Sequence, residues 1–365
     1  MSLYKDDIVK MLTAKYPPKE IAVWLRGSYF PELKARFNAD DSRKRFGLYK
    51  GEKMPVNERN LTDVRTRLGV LIEFELARLS NDVLKEFEIS DLFWSYVVAN
   101  RFPDLEIRNN NGDRFLRIEV KSLQCIAEEK SANFDTLLKD VDPNTDYVVA
   151  CTWDWNYDKP KVYAWDAVPL IDKIYVFHAY SLAQLRDTYW LNCPPRDLGS
   201  GYQGFDIRNA VTCKHGKYSR EQGNCGKLMR IWDEGFRFRP NDSEELRDTE
   251  KEYSRFKDEI IWKGFELLAR RQLLELGLGV VEPILLGGKS VGYISGDVAY
   301  FLSSGNSASS SAYQTYALEH GASRIVIMRE NYRSNVFKLQ SDSWIKVESD
   351  AKPKTVVTIL HQCES

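Results

Sequence analysis

Three ionisable side chains, Asp104, Glu119 and Lys121, stand on or beside two runs of strand-like sequence, residues 105–108 and 115–123. Two carboxylates that share one face of a sheet repel each other unless a cation joins them. A hard divalent cation with oxygen ligands, above all Mg²⁺, is suited to that position. The residue types therefore predict a metal-binding acid pair with a lysine beside it.

An Asn-Gly pair, Asn111-Gly112, separates the two runs and predicts the hairpin that would bring these side chains together. Both central residues of a type I′ turn need a positive φ, which this pair tolerates. With those two residues as the loop, counting outward places Asp104 opposite Glu119. Opposed residues share a face with Cβ atoms about 5 Å apart, and Lys121 lies one step further along that face.

Pro103-Asp104, followed after a gap of fourteen residues by Glu119-Val120-Lys121, resembles the signature of the PD-(D/E)XK nuclease superfamily. That superfamily supplies the catalytic core of most type II restriction endonucleases. The resemblance implies that Asp104 and Glu119 ligate Mg²⁺ with help from the Val120 carbonyl. It also implies that Lys121 positions or deprotonates the attacking water and offsets charge on the phosphate.

The order of predicted elements agrees with the fold that the resemblance implies, an α/β restriction-endonuclease-like core with a central mixed sheet flanked by helices. A buried strand at 146–154 follows the hairpin, then further strands at 161–167 and 174–179 and a helix at 181–190. We expect four regions: an N-terminal helical region, 1–60; the catalytic core, 61–195; a basic Gly-rich region, 196–240; and a C-terminal α+β region for recognition or dimerisation, 241–365.

A helix predicted at 62–79 carries Glu73 within an otherwise apolar stretch. Gly69 lies one turn earlier, where another backbone or a ligand can approach closely. In the resembled family a glutamate of the preceding helix often joins the metal site, and Glu73 is our choice, with Glu75 second. The alternative is a surface glutamate that pairs with one of the neighbouring arginines, Arg65, Arg67 or Arg78.

Two alternatives concern the hairpin itself. Glu106 shares a face with Asp104 and is an alternative or additional ligand, although the register favours Asp104. Glu119 and Lys121 could instead form a plain surface salt bridge. That second interpretation leaves Asp104 without a role and neglects the alternation of the strand's apolar residues, Leu116, Ile118 and Val120.

Basic residues outnumber acidic ones in 196–240, and glycines and aromatic residues are interleaved with them. Arginine and lysine on a flexible backbone can approach phosphates and base edges, or can simply form a basic surface loop. A second polar cluster follows a strand near residue 330. The DNA-contact candidates from both segments are Lys214, Lys217, Arg220, Arg237, Arg333 and Asn335.

Two other motifs fail on inspection. Cys213, His215 and Cys225 do not supply the four closely paired ligands of a structural zinc site. A Gly-Lys-Ser at 288–290 echoes a phosphate-binding loop, but Pro283 stands where that motif requires its first glycine. We therefore expect neither zinc nor a nucleotide cofactor.

Composition places the chain among globular proteins: 365 residues, 43% hydrophobic, 29% charged and a net charge of −1. Six scattered cysteines and the absence of an apolar leader favour a reducing cytoplasm, and no run approaches the roughly 18 residues of a membrane span.

Three functional hypotheses follow from these patterns. The first is a Mg²⁺-dependent, site-specific endonuclease of double-stranded DNA that works as a homodimer, because one centre cuts one strand. The second is a repair or recombination nuclease of the same fold. The third is a DNA-binding module without catalysis, in which the acid pair is structural.

Overall fold

The computed structural model describes most of the chain, and every structural statement below concerns this part. The described residues are 3–39, 59–97, 102–127, 132–155, 169–190, 227–231, 242–276, 282–286, 289–303, 310–329 and 332–362. The chain forms two compact units. The first comprises Met1–Gln124, Lys130–Trp155 and Ala164–Lys257; the second comprises Cys125–Glu129, Asn156–Tyr163 and Asp258–Ser365.

The first unit contains a five-stranded mixed sheet in the order β1-β2-β3-β4-β5, in which only β3 and β4 are parallel. Its helices are α1 (Lys5–Leu12), α2 (Pro18–Trp24), α3 (Phe30–Ala39), α4 (Arg59–Glu86) and α5 (Ala179–Trp190), with a π-helical turn at Leu25–Tyr29. Its strands are β1 (Leu92–Tyr96), β2 (Leu105–Asn109), β3 (Arg114–Gln124), β4 (Asp146–Trp155) and β5 (Pro169–His178).

The burial of its residues agrees with the inner position of β4 in this sheet. All ten residues of β4 are buried, as expected for a strand covered on both faces, and this confirms the predicted buried strand. Strand β1 was not among the predicted strands. A short 3₁₀ turn, Leu138–Asp140, lies between β3 and β4. The predicted strand at 161–167 lies outside the described residues.

The N-terminal helices belong to the same compact unit as the sheet. The Tyr29 side chain is fully buried and its hydroxyl accepts a hydrogen bond from the indole Nε1 of Trp94 on β1, at 2.8 Å. The Asn38 amide bonds both backbone groups of Ile171 on the edge strand β5, at 2.9 and 3.0 Å. The predicted N-terminal helical region therefore contributes side chains to the core of this unit.

The second unit contains a six-stranded mixed sheet in the order β11-β10-β9-β8-β7-β6, in which only β8 and β9 are parallel. The strands are β6 (Glu282–Leu286), β7 (Lys289–Ser295), β8 (Val298–Ser303), β9 (Arg324–Arg329), β10 (Ser334–Gln340) and β11 (Ser343–Ala351). Helices α7 (Ser310–Glu319) and α8 (Pro353–Gln362) accompany them.

The Ser243 hydroxyl caps the long helix α6 (Glu244–Glu275) by accepting a hydrogen bond from Leu246 N at 3.2 Å. The division between the two units falls inside α6, after Lys257. Of the helices in the described ranges, none has the length and apolarity that crossing a membrane requires. The predicted α/β class with mixed sheets and flanking helices is thus found.

Candidate functional site

The hairpin between β2 and β3 closes with a different turn from the one predicted. Asn109 N donates to Asp113 O at 3.1 Å, and Gly112 N donates to Asn109 O at 3.0 Å. Gly112 has a φ of +86°, while Asn111 keeps a negative φ. The connection is therefore a three-residue loop with one left-handed glycine, and the prediction of a two-residue type I′ turn was wrong.

The register at the site end of the hairpin is nevertheless the predicted one. An extra residue in β3 forms a bulge between the pairs Arg108–Arg114 and Glu106–Arg117, and it offsets the longer loop before the next pair, Leu105–Ile118. One step beyond that last pair, Asp104 lies opposite Glu119. The longer loop and the bulge both depart from the predicted hairpin, and their effects on the register cancel. Asp104 and Glu119 therefore lie opposite each other on the two strands.

Asp104 is fixed to the neighbouring strand by two hydrogen bonds. Its Oδ2 accepts from Val120 N at 2.7 Å, and its backbone N donates to Ile118 O at 3.0 Å. The N–H and C=O of one strand residue point to the same side of the strand. The Val120 carbonyl therefore points toward the β2 side of β3, where the Asp104 carboxylate lies.

Glu119 and Lys121 form an ion pair that is mostly buried. Lys121 Nζ donates to Glu119 Oε1 at 2.5 Å, and the two side chains are 18% and 12% exposed, respectively. On the opposite face of β3, Leu116, Ile118 and Val120 are buried, as the alternation predicted. The pair is therefore not a surface salt bridge.

The second carboxylate oxygen of Glu119, Oε2, is buried and has no hydrogen-bond partner in the described part of the protein. A buried carboxylate oxygen without a partner is costly. A bound cation would supply the missing partner, so this atom is the observation that best fits a metal ligand.

Burial raises the pKa of both Asp104 and Glu119, and the Lys121 ammonium opposes that effect. For Lys121 itself, burial acts to lower the pKa, but the combined attraction of Glu119, Asp104 and Glu73 outweighs it and the pKa is raised. Lys121 is thus held as a cation. Three carboxylates facing one ammonium leave an excess of negative charge that would attract a further cation.

Glu73 on α4 lies within the field of this cluster. Burial, and then the charge of Asp104, raise its pKa to about 7. Gly69 lets α4 approach β3 closely, because a Cβ at this position would lie 2.7 Å from Ser122 Oγ. The close approach expected at Gly69 is therefore present, with a strand residue as the neighbour.

The alternative candidates have other partners. Glu75 pairs with Arg78 at 2.5 Å. Arg65 donates to Gln124 Oε1 at 2.6 Å. Glu106 is 2% exposed, pairs with Arg108 and lies 3.6 Å from Arg114. These contacts favour Glu73 over Glu75, and Asp104 over Glu106, as members of the cluster.

Tyr96, which no sequence pattern singled out above, lies beside the site. It is half-buried, pairs with Leu105 across β1 and β2, and stacks on the Phe74 ring with the centroids 4.2 Å apart. The only available sequence signal was the alternation of side chains along Leu92–Tyr96. In the structure, Leu92 and Trp94 are buried and Phe93 is exposed.

Most of the predicted DNA contacts cannot be placed. Lys214, Lys217, Arg220 and Arg237 lie outside the described residues, as do the rejected zinc candidates Cys213, His215 and Cys225. Arg333 is half-buried and immediately precedes β10. Asn335, on β10, uses its side-chain oxygen to accept a hydrogen bond from Asp350 N of β11 at 3.2 Å, which gives that group a structural role.

Across the described ranges, no set of three or more His, Cys, Asp or Glu side chains is placed to hold a metal ion. Comparisons of the chain with protein-family models, with curated proteins and with solved structures found no match.

Proposed function

We propose that this protein is a Mg²⁺-dependent endodeoxyribonuclease that hydrolyses phosphodiester bonds of double-stranded DNA, in the manner of the type II restriction enzymes that its motif resembles. The observation that carries the proposal is the buried Glu119–Lys121 pair opposite Asp104, which is tied by hydrogen bonds to the same strand. Buried ionisable groups that share one site and have displaced pKa values are typical of catalytic centres.

The donor atoms fit a hard cation. Asp104, Glu119 through its unpartnered Oε2, and the Val120 carbonyl would hold Mg²⁺, and all of them are oxygen ligands. When bound, the ion would polarise the scissile phosphate and lower the pKa of a water molecule. Two carboxylates are a normal protein contribution for Mg²⁺, which keeps several waters and takes the rest of its ligands from phosphate oxygens.

The chain's own residues divide the remaining work. Lys121 stays protonated beside the carboxylates, so its ammonium donates hydrogen bonds to the phosphate and offsets the charge that develops there. This favours a positioning role over deprotonation of water. Glu73, with a pKa of about 7, is suited to hold or release a proton at neutral pH.

The proposed partner is double-stranded DNA, and the proposed assembly is a homodimer. One centre per chain cuts one strand, so two chains related by a two-fold axis would cut both strands of a palindromic site. The basic segment 196–240 and the C-terminal residues 241–365 are the proposed sources of DNA and dimer contacts. No nucleotide cofactor is proposed.

The test is incubation of unmethylated phage-sized DNA with wild-type protein and Mg²⁺, with chelator, and with Lys121→Ala. Lys10→Ala, which removes an exposed lysine of α1 outside the regions proposed to contact DNA, is the matched control. Discrete fragments that require both the metal and Lys121 would support the proposal. A smear would favour a structure-selective repair nuclease, and intact DNA with Mg²⁺ and with Mn²⁺ would favour the non-catalytic module.

A further inference from the structure

An exposed aromatic stack lies beside the candidate site. The rings of Phe74 on α4 and Tyr96 on β1 are nearly parallel, 19° apart, with centroids separated by 4.2 Å. Phe74 is 49% exposed, although it is a large apolar side chain in the middle of a packed helix. Half of this ring is therefore available to a ligand.

Phe74 is part of a larger exposed apolar surface on α4. Val70 and Leu71 are 41% and 42% exposed and precede Phe74 by four and three residues, so the three side chains share one side of the helix. The other side is covered by the unit's core through Leu68, Ile72, Leu76 and Leu79. Large apolar side chains gathered on one exposed face are characteristic of binding surfaces.

This surface is continuous with the carboxylate cluster. Tyr96 pairs across β1 and β2 with Leu105, the residue that directly follows Asp104, and Glu73 directly precedes Phe74 in sequence. The backbone also connects them, because Val97 N donates to Asp104 O at 2.8 Å. A ligand that lies on the Phe74 ring would therefore be within reach of the phosphate-binding position proposed above.

We propose that the Phe74–Tyr96 stack holds an unpaired nucleobase of the DNA strand being cut. This inference rests on the proposed nuclease function and specifies its substrate. Every base offers a π-face to an aromatic ring, but within an intact duplex both faces are covered by neighbouring bases. The favoured substrate is therefore double-stranded DNA in which the nucleotide next to the scissile phosphate is unstacked, and a gap placed at the cleavage site would supply such a nucleotide.

We assign the exposed surface around Phe74 to a base and not to a second copy of the chain. The reason is that this surface adjoins the carboxylate cluster, whose excess negative charge needs a cation. Two copies joined through this face would bring two carboxylate clusters together without a counter-charge between them. A nucleotide, by contrast, brings its phosphate to the metal and its base to the ring.

The experiment measures binding of a single-stranded oligonucleotide that contains the fluorescent base 2-aminopurine, and of the same sequence as a duplex, in Mg²⁺. Lys121→Ala protein is used so that hydrolysis is slow. We expect quenching on binding to the single strand, and a loss of affinity of about 5- to 100-fold in the additional Phe74→Leu variant. Phe74→Trp should retain the affinity.

Phe93→Leu is the matched control, because Phe93 is 40% exposed on β1 of the same unit and should change the affinity less than twofold. Thermal unfolding of each variant verifies that it is folded. Equal affinities for Phe74→Leu and Phe93→Leu would overturn the proposal. So would loss of a concentration-dependent dimer in Phe74→Leu with unchanged DNA affinity.

Cleavage by the wild-type protein separates this inference from the function on which it rests. Faster cleavage of gapped than of intact duplex, with the gain lost in Phe74→Leu, would support both. If the wild-type protein and Phe74→Leu cleave both substrates at the same rates, the nuclease function would stand and the base contact would be overturned. Quenching that depends on Phe74 without any cleavage would support the base contact and overturn the nuclease function.

Discussion

The two sheets of this protein follow the same plan but differ in the strand that would carry chemistry. In each, a helix precedes three antiparallel strands, the third strand is parallel to the fourth, and the next strand is antiparallel again. The third paired residue of the parallel strand is Glu119 in β3, opposite Val148, and Tyr300 in β8, opposite Val326. Two residues later stand Lys121 and Leu302, respectively.

Strand β8 is buried along its whole length and its residues are chiefly apolar. The hydroxyl of Tyr300 donates to Gln272 of the preceding helix, so its one polar side-chain atom is satisfied within the core. In β3, by contrast, ionisable groups are buried and Glu119 Oε2 has no partner. One strand plan thus accommodates a closed apolar core or a charged cluster, which shows that fold and site are separable.

The largest expected effect comes from truncating the residue at the equivalent position of each strand, Lys121 in β3 and Leu302 in β8. Lys121→Ala should reduce cleavage by about 10²- to 10³-fold, because the phosphate loses its charged donor. Leu302→Ala should leave cleavage by the folded protein unchanged but lower the free energy of unfolding by about 2–5 kcal/mol, since Leu302 is 2% exposed. Single-turnover kinetics and urea unfolding measure the two quantities. Equal effects of the two variants on cleavage would contradict the comparison.

The glycines test how each sheet is packed. A Cβ at Gly292 on β7 would lie 2.0 Å from the backbone oxygen of Tyr300, so Gly292→Ala should destabilise by about 3 kcal/mol. Gly69→Ala should cost about 1–2 kcal/mol, because its neighbour is a side-chain oxygen, Ser122 Oγ. Adding Ser122→Ala should relieve most of that cost. Chemical denaturation measures all three variants, and no rescue by Ser122→Ala would disprove the contact.

Substitution of Glu73 tests whether like charges in the cluster destabilise the metal-free protein. Its pKa is raised to about 7, so the stability associated with its protonated form is fully present below 4.5 and is lost as the pH rises through 7. Glu73→Gln should therefore stabilise the protein at pH 8 by about 1–2 kcal/mol, a value discounted for partial exposure.

Glu75→Gln is the matched control on the same helix. It removes the pair with Arg78 and should destabilise by a few tenths of a kcal/mol. Thermal unfolding at pH 5 and pH 8 distinguishes the two variants. If Glu73→Gln destabilises the protein at pH 8, the crowding of like charges around Glu73 is refuted. We also expect the Glu73→Gln variant to bind Mg²⁺ more weakly in calorimetry, because it lacks one negative charge.

The smallest effect concerns a buried histidine of the first sheet, away from the cluster. His178 Nε2 donates to Pro143 O at 2.7 Å and Nδ1 accepts from the Ser181 hydroxyl at 2.8 Å, which fixes the neutral ring. Burial lowers its pKa, so stability should fall as the pH drops below 6.5. His178→Gln should flatten this dependence between pH 7 and pH 5, and an unchanged slope would assign it to other groups.

Local turn signals were the weakest guide to this structure. Asn111-Gly112 does not form the type I′ turn that it favours, whereas Ser341 and Asp342, with φ values of 46° and 65°, close a two-residue hairpin between Gln340 and Ser343. A turn needs only a small free-energy difference between loop conformations, so pairing along the strands decides it. The bulge in β3 shows the same priority, because it restores the register that buries Leu116, Ile118 and Val120.

The sequence by itself determined the features that depend on neighbours along the chain. Apolar spacing indicated helix α4 and the buried strand β4, and residue types and spacing indicated Asp104, Glu119 and Lys121, with Glu73 as a further candidate. The tertiary structure alone decided how deeply the Glu119–Lys121 pair is buried and that Tyr96 lies beside the cluster. Desolvation and charge coupling depend on groups brought together from distant parts of the chain, and no spacing within one segment encodes them.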